Sequence, residues 1–253
     1  MISLKSKDWV LENIETVIFD KDGTFIDLHF FWGKMTEKRA KKVMEVFGLQ
    51  EKFFEKICGF LGYDIYSKKM LSDGITALYS RVKIIEIFRG KLEEIGIKTT
   101  EEKIAEIFDE VSEDFYKEID KYTKPIEEAI DFINKLHSMG VKLGIVTSDS
   151  VESTKLTLKN FGWEYLFQSV IGRESSSETK ESGVPTKLAL TELSAYPETT
   201  IMVGDAPMDF ISAKNAGINN TILITTGQVG VNELKKYTPY VLESLKELEC
   251  LKI

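Results

Sequence analysis

Runs that are apolar at successive positions, each ending in polar residues, recur between amphipathic stretches along this chain. Thr16 to Phe19 (TVIF), Val141 to Thr147 (VKLGIVT), Thr200 to Val203 and Thr221 to Thr225 do not alternate, which is the pattern of strands covered on both faces. Leu166 to Ile171 reads as a shorter strand. Between them lie helical patterns. Ile126, Ala129, Ile130, Ile133 and Leu136 form one, stopped by Gly140, and Val151 to Phe161 another, stopped by Gly162. Helices opened by Pro185 and Pro207 follow, the second ending at Gly217. Tyr240 to Leu251 reads as a closing helix, and residues 1–14 as an amphipathic lead-in packed at the sheet edge. This alternation predicts a parallel sheet wound by right-handed crossovers.

From Gly33 to about Tyr122 the period is helical throughout. Met35, Ala40, Val43, Met44 and Phe47 recur at helical spacing, as do Ile104, Ile107, Phe108, Val111 and Phe115. Thr100 before Glu101 and Glu102 marks a helix start. The simplest architecture is α/β: one sheet domain from residues 1–27 and 123–253, with an all-helical domain, residues 28–122, inserted between the two segments.

Composition changes this picture little. The 253 residues suffice for one large domain or two modest ones. A net charge of −8 speaks against nucleic acid or an anionic membrane as main partner. Cys58 and Cys250 stand in no metal-ligand spacing, and two histidines are too few for a histidine-based metal site. No apolar run approaches membrane-spanning length and the N-terminus lacks a secretory core, so a cytoplasmic location is expected.

The chemistry gathers at strand ends. Asp20-Lys21-Asp22-Gly23-Thr24 ends the first apolar run with two acids one residue apart and a glycine for a sharp turn. The same residues also suit a plain turn. A calcium loop of the EF-hand type is excluded, because Phe25 and Phe31 stand where it requires glycine and glutamate. Thr147-Ser148 ends a second strand, beside a helix start suited to an anion. Gly204-Asp205 ends a third, with Asp209 across the next helix start; taken by itself, Asp205 reads as a helix cap before Pro207. Lys180 lies in the polar loop between. Parallel strands bring these clusters to one carboxyl edge, where α/β sheets bind ligands. Several carboxylates so close require a cation. An all-oxygen site points to Mg²⁺, and a lysine and a threonine nearby suit a phosphate.

In that order the four clusters resemble the motifs of the haloacid dehalogenase-like phosphohydrolases, over roughly residues 14–30 and 123–250. The inserted helices resemble the cap of the phosphoglycolate-phosphatase-like branch. The third motif departs from that branch: Lys180-Glu181-Ser182-Gly183-Val184-Pro185 is a looser link than its usual Lys-Pro, which leaves Lys187 as a rival. The resemblance implies a Rossmann-like core and a Mg²⁺-dependent phosphatase acting on a small phosphorylated metabolite. Asp20 would be the nucleophile and Asp22 the general acid and base. Mg²⁺ would be held by Asp20, the Asp22 carbonyl and Asp205, with Asp209 supporting it or orienting Lys180. Gly23, Thr147, Ser148 and Lys180 would receive the phosphate. Dehalogenases of the superfamily lack the second aspartate, so Asp22 favours phosphoryl chemistry. A phosphomutase, a phosphonatase or a non-catalytic phospholigand-binding module is the alternative. His29-Phe30-Phe31-Trp32 is expected to pack at the hinge, and Arg81 or Arg89 to offer a further anion contact only as a minor possibility.

Overall fold

The computed structural model describes residues 1–252. The chain divides into two compact units, Met1–Asp27 with Lys124 onward, and Leu28–Thr123. Thr123, placed with the second segment of the sheet domain by its sequence, ends the helical unit instead, its hydroxyl donating to the Ile119 carbonyl at 2.8 Å.

The first unit opens with strands β1 (Ile2–Lys5), β2 (Val10–Ile14) and β3 (Thr16–Phe19). The inserted unit holds α1 (Leu28–Phe47), α2 (Phe54–Phe60), β4 (Tyr63–Asp64), β5 (Lys69–Met70), α3 (Ile75–Leu78), α4 (Arg81–Glu94), α5 (Glu101–Lys117) and α6 (Ile119–Tyr122). The chain then returns through α7 (Glu127–Ser138), β6 (Lys142–Val146), α8 (Val151–Phe161), β7 (Ser169–Ile171), α9 (Val184–Glu192), β8 (Thr200–Gly204), α10 (Pro207–Asn215) and β9 (Asn220–Ile224). It ends with α11 (Val231–Leu234), β10 (Val241–Leu242) and β11 (Glu249–Lys252). Among the described residues no helix is long and apolar enough to cross a membrane.

The six-stranded sheet has the order β10-β9-β8-β3-β6-β7, parallel throughout. This is the parallel sheet expected from the apolar runs, and the Rossmann-like core that the resemblance implies. β3 lies between β6 and β8, with Phe19 in register with Ile145 and Val203. All four of its residues are buried, and Phe19 meets Phe132 and Phe167 edge-on at 6.4 Å each. Burying such a side chain contributes about 1.5–3 kcal/mol. After β3 the chain crosses to β6 on one side, and it later returns to β8 on the other. That reversal makes the carboxyl ends of β3, β6 and β8 the switch point, the ordinary ligand position in such sheets.

Three expectations from the sequence are corrected. Residues 1–14 are not a lead-in on the sheet edge: β1 and β2 form a separate antiparallel sheet of order β11-β1-β2. Tyr240 to Leu251 is not a helix. It forms β10, a single turn at Leu245–Glu247 capped by Ser244, and β11, because pairing with β1 outweighs local helical preference. The inserted region is not helical throughout, since β4 and β5 make a short hairpin whose Met70 N–H donates to His29 Nδ1 at 3.1 Å. Its core gathers Val43, Ile57, Phe88, Ile104 and Phe108. The 28–32 aromatic stretch is the first turn of α1, where Phe31 packs edge-on against Phe115 within the same unit.

Candidate active site

Asp20 continues β3, its N–H donating to the Val203 carbonyl at 2.8 Å. The chain then folds tightly, the Lys21 carbonyl accepting from the N–H groups of Thr24, Phe25 and Ile26. Gly23 sits at φ +88°, a conformation glycine adopts without strain. A Cβ there would also lie 2.5 Å from the Asp205 carboxyl carbon, so Gly23 is set by close approach as well. Asp205 follows β8. Asp209, in the first turn of α10, accepts at Oδ2 from the N–H groups of Asp205 and Ala206, 3.0 Å each. Its other oxygen, Oδ1, is 2.6 Å from Lys180 Nζ. The same ammonium donates to Asp20 Oδ1 at 2.6 Å. Asp20, Asp205 and Asp209 are all buried and offer oxygens within 4.8 Å of one another.

Burial raises the Asp20 carboxyl most, Lys180 pulls it back, and Asp209 and Asp22 push it up again, from 3.8 to about 7. Burial likewise lifts Asp205 well above the usual carboxylate range, aided by the charges of Asp20 and Asp209. Burial alone would lower the Lys180 ammonium, yet Asp20 and Asp209 outweigh it and hold the group charged. One ammonium thus faces three carboxylates, and the local balance is short of positive charge. The donor set is all oxygen, it is buried, and it lacks compensating charge, which fits a hard divalent cation.

In chelator-treated protein, native Asp20 holds a proton that the unfolded chain would have released between pH 3.8 and about 7. The native state binds more protons there, so stability falls as pH rises through that window. Lys21 and Lys180 have raised values, so their contributions are lost only above the ordinary lysine range, and Asp149, which is lowered, loses its own only in acid. Thermal melting of metal-free protein should therefore give a lower midpoint at pH 7.5 than at pH 5 (~2.5 pH units apart, across the upper part of the linkage window). A midpoint that rises over that interval contradicts the charge balance described.

The remaining sequence candidates fall differently. Asp22 does not join the carboxylate cluster through its side chain: its Oδ1 accepts from Lys21 Nζ at 2.7 Å. Lys21 is fully buried and also pairs with Asp149 Oδ2 at 3.0 Å. Burial works against the Lys21 charge, but Asp22 and Asp149 more than offset it. Burial also works against the Asp149 carboxylate, and Lys21 with neighbouring hydrogen bonds lowers it below its ordinary value. Thr147 is buried at the end of β6, and its hydroxyl oxygen accepts from Asp149 N–H at 3.1 Å. Ser148 is exposed and its hydroxyl points to Met208 Sδ at 3.6 Å. The start of α8, expected from sequence to receive an anion, is already served by side chains. Ser150 N–H donates to Asp149, Val151 N–H to Glu174 and Ser153 N–H to Ser150. Lys187 is exposed on α9, so Lys180 is the lysine beside Asp20. Arg81 and Arg89 are engaged in surface ion pairs with Asp109 and Glu93.

Sequence reasoning missed the loop after β9. Thr226 donates its hydroxyl to the Gly23 carbonyl at 2.5 Å, and a Cβ on Gly227 would overlap Asp205 Oδ2. The signal was present: Thr225-Thr226-Gly227 ends a buried strand at the same sheet edge. The Lys21 to Asp149 link was also missed, because a lysine inside an acidic turn reads as solvated.

Known proteins resemble this chain in sequence and in fold. The family model described as haloacid dehalogenase-like hydrolase matches residues 17–223. A pyrophosphatase PpaX of Halalkalibacterium halodurans is 29% identical over 171 residues, 67% of this chain and 79% of that protein. A phosphoglycolate phosphatase of Aquifex aeolicus is 27% identical over 221 residues, 87% of this chain and 88% of its own length. The crystal structure of a predicted phosphoglycolate phosphatase from Haemophilus somnus superposes with a TM-score of 0.73 at 15% identity, covering 94% of this chain and 97% of the other. That last likeness is one of fold.

Proposed function

The chain belongs to the haloacid dehalogenase-like hydrolase family, and from that premise we propose that it is a Mg²⁺-dependent phosphatase that acts on a small phosphorylated metabolite through an aspartyl-phosphate on Asp20. The observation that carries this reading is the lysine bridge: Lys180 Nζ stands 2.6 Å from both Asp20 and Asp209, with Asp205 in the same buried cluster. An anionic nucleophile, an ammonium for phosphoryl oxygens and surplus carboxylate charge then occupy one small volume.

Asp20 attacks phosphorus in this account, and the bond to the leaving oxygen breaks as Asp22 gives that oxygen a proton. Lys180 and the Thr147 hydroxyl hold the phosphoryl oxygens. Asp22 then takes a proton from water as the water attacks phosphorus and Asp20 is released. Asp209 keeps Lys180 and the Asp205 backbone in place. The side chains of Asp20 and Asp205, with the Asp22 carbonyl, would hold Mg²⁺, which supplies positive charge opposite the phosphoryl group.

A substrate panel tests the reading: pyrophosphate, phosphoglycolate, sugar phosphates and nucleotides, each with Mg²⁺ and with chelator. The first two head the panel because relatives bear those names. Phosphate release that requires Mg²⁺ is expected, and no release from any member would overturn the proposal. Gly227→Ala should lower turnover about 10-fold or more by displacing Asp205, and raise the Mg²⁺ concentration needed for half-maximal rate. An unchanged Mg²⁺ titration would show that the loop does not shape the site.

A further inference from the structure

Lys21 takes no part in the chemistry above, yet it is the most deeply enclosed charge beside the site. Its ammonium lies between Asp22 Oδ1 at 2.7 Å and Asp149 Oδ2 at 3.0 Å, with Lys21 and Asp149 fully inaccessible and the Asp22 side chain 11% exposed. Asp149 is itself fixed to the end of β6: its N–H donates to the Thr147 hydroxyl and its Oδ1 accepts from Ser150 N–H at 2.8 Å. The result is a chain of ionic contacts from one strand end to the acid of the next.

Buried ion pairs seldom add net stability over apolar residues of similar size, because desolvation offsets their attraction. What such a pair can supply is direction. An aspartate carboxylate turns broadly about its last torsion, so an unheld one presents either oxygen over a range of angles. With Oδ1 held by Lys21 the carboxylate plane is fixed, and with it the direction of Oδ2. We propose that Lys21, anchored by Asp149, is a positioning residue that aims Asp22 Oδ2 at the leaving-group oxygen. The inference rests on the phosphatase reading. In it, the Asp22 Oδ2 proton passes to the leaving oxygen as the phosphorus–oxygen bond breaks with its electron pair to that oxygen and the Asp20–phosphorus bond forms. In the second half, Oδ2 recovers a proton from the attacking water.

A positioning role differs from a merely structural one in its dependence on the leaving group. Nitrophenolate departs without a proton, whereas an alkoxide requires one. The test measures kcat/KM for p-nitrophenyl phosphate and for an alkyl ester such as glycerol phosphate, in the unaltered chain, Lys21→Met and Asp22→Asn. Lys21→Met leaves Asp149 buried without its ammonium and risks misfolding. The double variant Lys21→Met/Asp149→Asn removes both charges and keeps an acceptor for Ser150 N–H. Both Lys21 variants should lose ~10- to 100-fold more on the alkyl ester than on the aryl ester. Asp22→Asn should show the same bias, and adding Lys21→Met to it should not widen that bias. Equal losses on the two esters in whichever Lys21 variant folds would overturn the proposal, as would no loss at all. If the unaltered chain turns over the aryl ester alone, no acid serves the leaving oxygen and the proposal also fails. If it turns over neither ester with Mg²⁺ present, the phosphatase reading itself fails, which is a distinct result.

Discussion

Asp20→Asn is expected to lower phosphate release by ~10⁴-fold or more, to the level reached when a covalent nucleophile is removed from an otherwise intact site. The substitution keeps the shape of the side chain, and its amide oxygen still accepts from Lys180. It removes a buried carboxylate that burial and Asp209 had already pushed up to about 7, so the metal-free fold should not suffer. Lys180 retains Asp209 at 2.6 Å. Thermal melting beside phosphate release separates the two effects: the melting midpoint should hold or rise while activity disappears. Turnover near the unaltered rate would remove Asp20 from the mechanism.

Lys180→Met carries the second large effect, and its signature is different. The ammonium contacts both Asp20 and Asp209. Its loss should lower kcat/KM ~10²- to 10³-fold, the range found when a preorganised partner of developing charge is deleted. Stability should fall too. Breaking a buried ion pair from one side costs ~3–5 kcal/mol, less whatever Asp20 recovers by taking up a proton. Mg²⁺ can replace part of the missing charge, so the rise in melting temperature on adding Mg²⁺ should be larger in Lys180→Met than in the unaltered chain. Arginine is no substitute, since its planar fork fits the two carboxylates differently. Lys187→Met, on the exposed side of α9, should change stability by no more than ~0.5 kcal/mol and leave activity intact. A Lys187 variant that fails and a Lys180 variant that works would reverse the assignment.

Much of the sheet was legible because its strands announce themselves. TVIF, LGIV and TIMVG are buried on both faces, and such runs have few alternatives once bounded by turns. Parallel order then fixes the edge at which Asp20, Thr147 and Asp205 emerge. The N- and C-terminal strands were not legible. β1 and β11 stabilise one another across the length of the chain, and no local pattern encodes a partner that distant. The β4–β5 hairpin was hidden for a related reason, its two-residue strands being too short for any period to show.

Within the site, residue type was more readable than direction. The sequence places two acids after β3, but it does not say that Asp20 turns to Lys180 while Asp22 turns to Lys21. That divergence comes from the tight turn at Gly23 and from Asp149, which gives Lys21 a reason to be buried. Gly227 escaped notice because its contribution is the absence of a side chain against Asp205. Lys180 and Lys187 looked similar as letters. Their surroundings differ because the single turn at Lys180–Ser182 carries the first inward, and α9 carries the second outward.

The central claim is that Asp20 becomes phosphorylated. Its most direct test is an acid quench of the protein during turnover of a phosphate-labelled substrate with Mg²⁺, followed by peptide mapping. Asp22→Asn with p-nitrophenyl phosphate should accumulate the species, since formation then needs no acid while hydrolysis still needs a base. The account predicts hydroxylamine-labile label on the peptide containing Asp20, absent with chelator and absent in Asp20→Asn. Steady phosphate release with no label on that peptide, or label on another residue, would contradict it.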